Sequence, residues 1–497
     1  MAKFTPLPHS VHSDLVQASN DSQRAGAKNS GTAIAVHKFG GSSLASKERL
    51  ENVCEIIKQY TTKEDIIVVS ANGGVTDLLV KRVNGDFEAL NAISVYYQGL
   101  AFSCLQDSAK VLELFYRDIE RLKDSSIDTD EVLSFGEIWS ARLLVALLNE
   151  YHLSSLLIDA RELLATDSLD SHHNFDVAYF DKGLERHAYG NFGKRLIVTG
   201  YIASNLSGET ITLGRNGSDY TATLLANFTD AEKVTLWTDV AGVYSADPRL
   251  IAKAKPIESL CYREANALAN VGTNVLHSKT ISPLRDKGIP LFIRSSLIPE
   301  AKGTRISDDN SSGEDIVFES FKSIAVKRNQ IKLIVKAKDW DAATNLKRAL
   351  FDAHISNIQV DYDQAFCNLT LLINESDLLA FIQVAKRTNL SLNINKAKHS
   401  LLCLVGLNIS RLENLVDEIL VQSSLKQLNT EDSDALYFLS RNEIANEDLN
   451  RIYQVCQGYI QNIIQNNNQC KKSNFQADRN APLSISANTS ESLSHGF

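Results

Sequence analysis

From Ala33 to about Ile306, short and uniformly apolar runs alternate with longer stretches whose apolar residues recur at helical spacing. Ile34 to His37, Ile66 to Ala71 (I-I-V-V-S-A), Arg195 to Thr199 (R-L-I-V-T), Val234 to Trp237 and Leu291 to Arg294 read as strands. Runs this apolar suit strands covered by helices on both faces. The stretch from Leu78 to Lys123 is polar on one side and carries Leu, Tyr and Phe at helical spacing, which predicts helices beside the sheet. The pattern therefore predicts an α/β sandwich.

A polar stretch, Ser307 to Asp315, reads as a linker, and a different pattern follows. Strands at Ile331–Ala337, Ile358–Tyr362, Asn368–Ile373 and Leu390–Asn395 alternate with helices at Ala342–Ala353 and Ser376–Arg387. That β-α-β-β-α-β order predicts a ferredoxin-like α+β unit. A weaker second copy follows, with a strand at Leu401–Leu407, helices at Ser410–Gln422 and Asn446–Gln457, and strands near Leu425 and Tyr437. From Gln461 the chain is too polar to bury a core, and it is expected to be disordered. The predicted division is a disordered leader over 1–32, an α/β unit over 33–307, a linker over 308–322, tandem ferredoxin-like units over 323–462 and a polar tail over 463–497.

Composition narrows the function classes. At 497 residues the chain is too long for one compact domain. A net charge of −9 and no basic stripe argue against a nucleic-acid partner. No apolar run reaches the roughly eighteen residues that a membrane helix needs, and Met1 to Gly31 lacks the apolar core of a secretory signal. The seven cysteines are scattered and lack C-x-x-C spacing, which fits reduced thiols in a cytoplasmic protein.

Two glycine turns carry candidate chemistry. Leu213 to Ala222 reads L-G-R-N-G-S-D-Y-T-A and runs into a helix. Its glycines let backbone N–H groups approach an anion, the helix N-terminus points positive charge there, and Arg215 offers a planar fork for a carboxylate or phosphate. Asp219 adds one negative charge, able to order a lysine or a metal. Far upstream, Ala33 to Ser43 reads A-I-A-V-H-K-F-G-G-S-S, a strand closed by Lys38 and followed by Gly40, Gly41, Ser42 and Ser43. A lysine at a strand's carboxyl end beside a diglycine turn sits where open α/β sheets hold ligands. It is not a Walker A loop, because the lysine precedes the glycines. Two such turns suggest a phosphoryl donor and an anionic acceptor. Further candidates are S-A-N-G-G-V-T-D at Ser70–Asp77, Glu137 at the expected first turn of an apolar helix, and the stretch from Thr238 to Arg249 after a strand.

Taken together, K-F-G-G-S-S at 38–43, L-G-R-N-G-S-D-Y at 213–220 and W-T-D-V-A-G-V-Y-S-A-D-P-R at 237–249 resemble aspartokinase, of the amino-acid kinase superfamily. The second and third are most similar to the kinase half of bifunctional aspartokinase–homoserine dehydrogenases. The resemblance implies an amino-acid kinase-like α/β/α sandwich followed by a tandem ACT regulatory region. It implies transfer of the γ-phosphoryl of ATP, with Mg²⁺, to the β-carboxylate of L-aspartate. The matching positions make Lys38 and Asp219 catalytic. Ser42, Thr76, Glu137, Arg215 and Ser218 would bind aspartate, and Lys38, Gly40, Gly41, Thr238, Asp239, Tyr244 and Arg249 would bind ATP. No protein metal ligand is implied.

An aspartate carboxylate is already ionised at neutral pH, so the chemistry needs positioned donors and cations rather than a base. The resemblance also implies an amino-acid effector at the ACT region, where K-D-W-D at Lys338–Asp341 stands in place of a glycine-rich loop, and a homodimer or homotetramer. One departure concerns the stretch G-T-N-V-L-H-S. Asn274 stands where the family commonly has a lysine, and Ser278 where it has proline. His277 is expected to pack or to cap a helix. No G-x-G-x-x-G fingerprint is found, and the chain has no room for a dehydrogenase domain. The alternative is a regulator that senses amino acids on a catalytically impaired kinase fold.

Overall fold

The computed structural model describes residues 34–166, 175–188, 193–271, 276–308, 321–337, 340–352, 355, 357–363, 368–388, 390–428 and 433–479. The first unit opens with β1 (Ala35–Phe39), α1 (Lys47–Tyr60), β2 (Ile66–Val69), α2 (Val75–Val83), α3 (Glu88–Cys104), α4 (Ala109–Arg121) and α5 (Thr129–Glu150). It continues through β3 (Ser155–Ile158), β4 (Ala165–Thr166), α6 (Val177–Ala188), β5 (Arg195–Thr199), β6 (Ile202–Asn205), β7 (Thr210–Thr212), α7 (Gly217–Phe228) and β8 (Lys233–Thr238). It closes with β9 (Ser259–Leu260), α8 (Tyr262–Val271), α9 (Ser278–Arg285), β10 (Leu291–Ser295) and β11 (Thr304–Ile306).

Among the described residues these strands form an eight-stranded sheet, ordered β3-β5-β2-β1-β8-β10-β11-β9, and a small β4-β6-β7 sheet. Pairing is parallel from β3 across to β10. All of β2, and all of β8 except its ends, is buried, which is why these strands read as continuous apolar runs. Successive strands fill the sheet on one side of β1 and then, after α7, on the other. The carboxyl ends of β2, β1 and β8 therefore flank a topological switch point, where such sheets bind ligands.

The second unit comprises β12 (Ser323–Lys336), α10 (Trp340–Asp352), β13 (Asn357–Asp363), β14 (Asn368–Asn374), α11 (Leu378–Arg387) and β15 (Ser391–Val405). It ends in α12 (Glu413–Gln422), β16 (Lys426–Leu428), β17 (Ala435–Ser440) and α13 (Asn446–Arg479). Its strands form a single antiparallel sheet, β13-β14-β12-β15-β17-β16. Two expected strands, Leu390–Asn395 and Leu401–Leu407, turn out to be one long strand, β15. It pairs along almost its whole length with β12, which is one residue shorter, through bulges near Lys327–Lys332. The carboxyl half of β12 completes one ferredoxin-like unit. Its amino half, Ser323 to Lys327, supplies the fourth strand of the other. The two units are thus interleaved rather than strung in series. The last helix runs on to Arg479, further than the polar composition after Gln461 suggests.

Alternation along β15 explains how the halves join. Leu402 and Leu404 face a core with Leu415, Ile419 and Phe438, while Leu401, Cys403 and Val405 belong to the core of the first unit. The boundary also buries charge. Asp434 and Glu264, both with fully buried side chains, pair with Arg263 (2.7 Å) and Lys322 (2.7 Å) respectively. Unpaired, either buried carboxylate would be costly.

Candidate active site

The site is assembled from loops at the carboxyl ends of β1, β2, β5 and β8. Lys38 is the penultimate residue of β1 rather than the residue that ends it, paired across the sheet with Val68 and Leu236. Its Nζ lies 2.5 Å from Asp219 Oδ1, and both side chains are largely shielded from water. Asp219 occupies the first turn of α7, where a carboxylate is favoured by the helix dipole.

Two diglycine turns pack against one another beside this pair. A Cβ on Gly41 would stand 2.7 Å from the Ala71 carbonyl, and one on Gly73 would stand 2.9 Å from the Ala45 Cβ. The Gly40 N–H donates to the Trp237 carbonyl (3.1 Å), which ties the first turn to the end of β8. Buried Asn72 donates to the Leu44 carbonyl (2.7 Å) and joins the turns from the other side. Glycine is required here for close approach of backbones. Gly74 takes the amino-terminal cap of α2 with φ 82°, so Thr76 is a half-buried residue of that helix's first turn rather than its cap.

Glu137 does not lie in the first turn of its helix. It sits in the middle of α5, which begins eight residues earlier, at Thr129. Gly136 makes room for this: a Cβ there would meet the Ala71 Cβ at 2.9 Å. The helix can therefore press Glu137 against the end of β2, where one carboxylate oxygen accepts from the Ala71 N–H (3.2 Å). The other oxygen is buried and has no hydrogen-bond partner among the described residues. Burial pushes the Glu137 carboxyl up to about 8, against the Ala71 hydrogen bond and the Lys38 charge, which favour ionisation. A buried acid with one unsatisfied oxygen is suited to a cationic group brought by a ligand.

The second glycine turn folds over the same point. Gly200 follows β5, and a Cβ there would meet Ser218 at 2.5 Å; Gly217 abuts the Tyr201 ring in the same way, at 2.7 Å. Ser218 is accordingly buried at the start of α7. Tyr201 (φ 68°) and Asn216 (φ 57°) both adopt the left-handed backbone that non-glycine residues rarely enter. Such strain concentrates at functional loops. Burial pushes the Tyr201 phenol up, against a hydrogen bond to Thr212, and the nearby Glu137 charge adds to the rise. None of the sequence motifs contains Tyr201; its only sequence signal is a glycine–aromatic pair directly after a strand. Arg215 stands exposed on the turn before α7.

On the other flank, Ser43 Oγ lies 2.7 Å from Ser296 Oγ, and Ser296 donates to the Thr238 carbonyl (3.0 Å). Thr238 Oγ1 donates to Asp239 (3.2 Å) at the exposed end of β8. The chain then forms a hairpin that carries half-buried Tyr244 and, at its tip, Arg249, which pairs with Asp247 at 2.7 Å. His277 caps α9, accepting from the Lys279 N–H (3.3 Å), as expected. Asn274 lies outside the described residues.

The arrangement sets a lysine–aspartate pair and glycine turns at its centre, a buried acid on one side and the Thr238 hydroxyl and the Tyr244 hairpin on the other. It can neutralise phosphates and hold a zwitterionic acceptor. Residues 33–295 match the sequence profile of the amino acid kinase family. Escherichia coli lysine-sensitive aspartokinase 3 is 33% identical over 319 residues, covering 60% of this chain and 69% of that protein. Escherichia coli bifunctional aspartokinase/homoserine dehydrogenase 2 is 37% identical over 293 residues, covering 56% of this chain and 36% of that protein. The chain thus spans only about a third of the length of that bifunctional relative. The crystal structure of E. coli aspartokinase III with aspartate and ADP superposes with a TM-score of 0.71 at 26% identity, over 86% of this chain and 99% of that one. The chain belongs to the amino acid kinase family, on its aspartokinase branch.

Proposed function

We propose that this chain is an aspartate kinase, transferring the γ-phosphoryl of ATP to the β-carboxylate of L-aspartate to give ADP and 4-phospho-L-aspartate. The observation that carries the reading is the free, buried oxygen of Glu137 beside Lys38. It suits the α-ammonium of an amino-acid acceptor and has no evident use in a kinase for nucleotides. Arg215 takes a substrate carboxylate, and Ser42, Thr76 and Ser218 line the acceptor side. Lys38 exchanges Asp219 for the phosphates, which the Gly40–Gly41 turn, having no side chains, lets come close. Thr238, Asp239, Tyr244 and Arg249 hold the nucleotide.

Phosphoryl transfer of this kind relies on positioning and charge stabilisation. Among the described residues no cluster of three His, Cys, Asp or Glu side chains could cage a metal. Mg²⁺ in this reading would be carried by the ATP phosphates, with the Asp219 carboxylate available to hold its water shell, and would supply positive charge for the transferring group. The interleaved ferredoxin-like units support an ACT-type regulatory region that binds an amino acid and pairs with a second copy, as homodimer or homotetramer. The solved E. coli aspartokinase III complex with lysine and aspartate supports an amino-acid effector. The product would enter the aspartate pathway to lysine, threonine and methionine, in the cytoplasm.

The test is ADP release from Mg²⁺-ATP with aspartate or glutamate, repeated with lysine, threonine or methionine added. Release with aspartate alone supports the reading. Nucleotide bound without release under any condition favours a sensing role instead.

A further inference from the structure

The hairpin that bears Tyr244 and Arg249 is built less on the kinase sheet than on the second unit. Its legs pair through Ser245 N–H to the Lys255 carbonyl and Ile257 N–H to the Val243 carbonyl, both 2.8 Å. Beyond that pairing, the side chains of Ala246 and Ile251 are buried in the core that also holds Phe321, Leu404, Leu449 and Ile452. The amino end of β12 lies alongside one leg. Ile324 N–H donates to the Ser245 carbonyl (2.9 Å), and Ser323 Oγ donates to the Tyr244 carbonyl (3.0 Å).

One side chain of the last helix closes this arrangement. Tyr453, 4% exposed, sets its hydroxyl 2.7 Å from Ser245 Oγ and 3.4 Å from the Lys253 carbonyl, and Ser245 Oγ also accepts from the Lys255 N–H (2.9 Å). These contacts admit one consistent set of protons. Lys255 N–H donates to Ser245, the Ser245 hydroxyl donates to Tyr453, and the Tyr453 hydroxyl donates to Lys253. Every hydroxyl in the chain then both gives and accepts, as buried polar groups require. The tyrosine bridges the two legs of the hairpin just below its tip. Asn450, one turn earlier on the same helix, reaches the Leu250 carbonyl (3.4 Å).

We propose that Tyr453 is a positioning residue for nucleotide binding: from the last helix it fixes the hairpin that presents Tyr244 and Arg249. This rests on the reading of those two residues as nucleotide contacts. The acceptor side hangs from other elements. Glu137 is carried by α5 and Lys38 by β1, and among the described residues their side chains bond to Ala71 and Asp219 rather than to α13. The hydrogen-bond chain therefore separates the two substrates: loosening it weakens nucleotide binding and leaves aspartate binding intact.

The experiment compares the full chain with Tyr453→Phe, measuring ADP binding by calorimetry and the KM of each substrate. Loss of one buried hydrogen bond predicts a roughly three- to tenfold rise in the ADP Kd and the ATP KM. The aspartate KM should stay within about twofold, the pattern of a residue that acts on one substrate alone. Tyr97→Phe removes an equally buried hydroxyl, one that donates to the Trp139 carbonyl (2.9 Å) inside the kinase unit, and should not produce this split. Ser245→Ala breaks the same chain from its other end and serves if Tyr453→Phe does not fold. Unchanged ADP affinity in a folded variant, or both KM values rising together, overturns the positioning role while leaving the kinase reading intact. A wild-type chain that binds no ADP overturns the kinase reading and this proposal with it.

Discussion

Lys38 and Asp219 meet at 2.5 Å across the gap between β1 and α7, the only described ion pair that joins the two glycine turns. The pair stores a cation beside the donors that would take phosphate, and it holds that cation on a strand buried in the sheet. Replacing Lys38 by Ala removes a preorganised charge without emptying the core. Turnover should fall about a hundredfold or more while the fold survives. Near-normal turnover would remove Lys38 from the reaction.

Glu137 predicts opposite effects on stability and function. Its carboxyl is pushed up to about 8 in the folded chain, from an ordinary value near 4.5. Between those values the unfolded chain has lost the proton that the folded chain retains, so this group makes stability fall as pH rises from about 4.5 to 8 and level off above. Glu137→Gln removes that slope. The variant should melt several degrees higher at pH 8, and the aspartate KM should rise at least tenfold, because the ammonium partner is gone. In the wild type, aspartate binding should tighten as pH rises toward 8, since the pairing form is the carboxylate. Thermal melts and aspartate titrations at pH 6, 7 and 8 read both effects.

Glycine positions separate a packing demand from a propensity effect. Gly41→Ala would drive a methyl to 2.7 Å from the Ala71 carbonyl, and backbone does not yield cheaply. A loss of about 1–3 kcal/mol and reduced turnover should follow. Gly99 is exposed in α3, with nothing near a Cβ, so Gly99→Ala should stabilise by about 0.5–1 kcal/mol and leave activity alone. Denaturant melts of both variants check the contrast.

Much of the catalytic unit was legible because its strands are short, apolar and bounded by glycine. Arg195–Thr199 falls where the pattern puts it, and β1, β8 and β10 differ by a residue or two at their ends. The G-E pair marks Glu137 but not its place within the helix, because Thr129 to Ser134 is polar enough to pass for a loop while Asp128 caps a helix there. No periodicity marks Tyr201, since a left-handed backbone at a tyrosine leaves no periodic trace. The second unit reads as two units in series, because sequence order alone does not show that β12 and β15 pair along their length. Nor could spacing show that Ile251 and Ala246 belong to a core formed some two hundred residues downstream.

The central claim is a phosphorylated carboxylate, so the most direct measurement traps that product. The full chain, incubated with Mg²⁺-ATP and amino acid in hydroxylamine, should yield aspartyl hydroxamate with aspartate and none with glutamate, and Lys38→Ala should abolish the yield. ADP formed with no hydroxamate, or hydroxamate formed equally from glutamate, would contradict it.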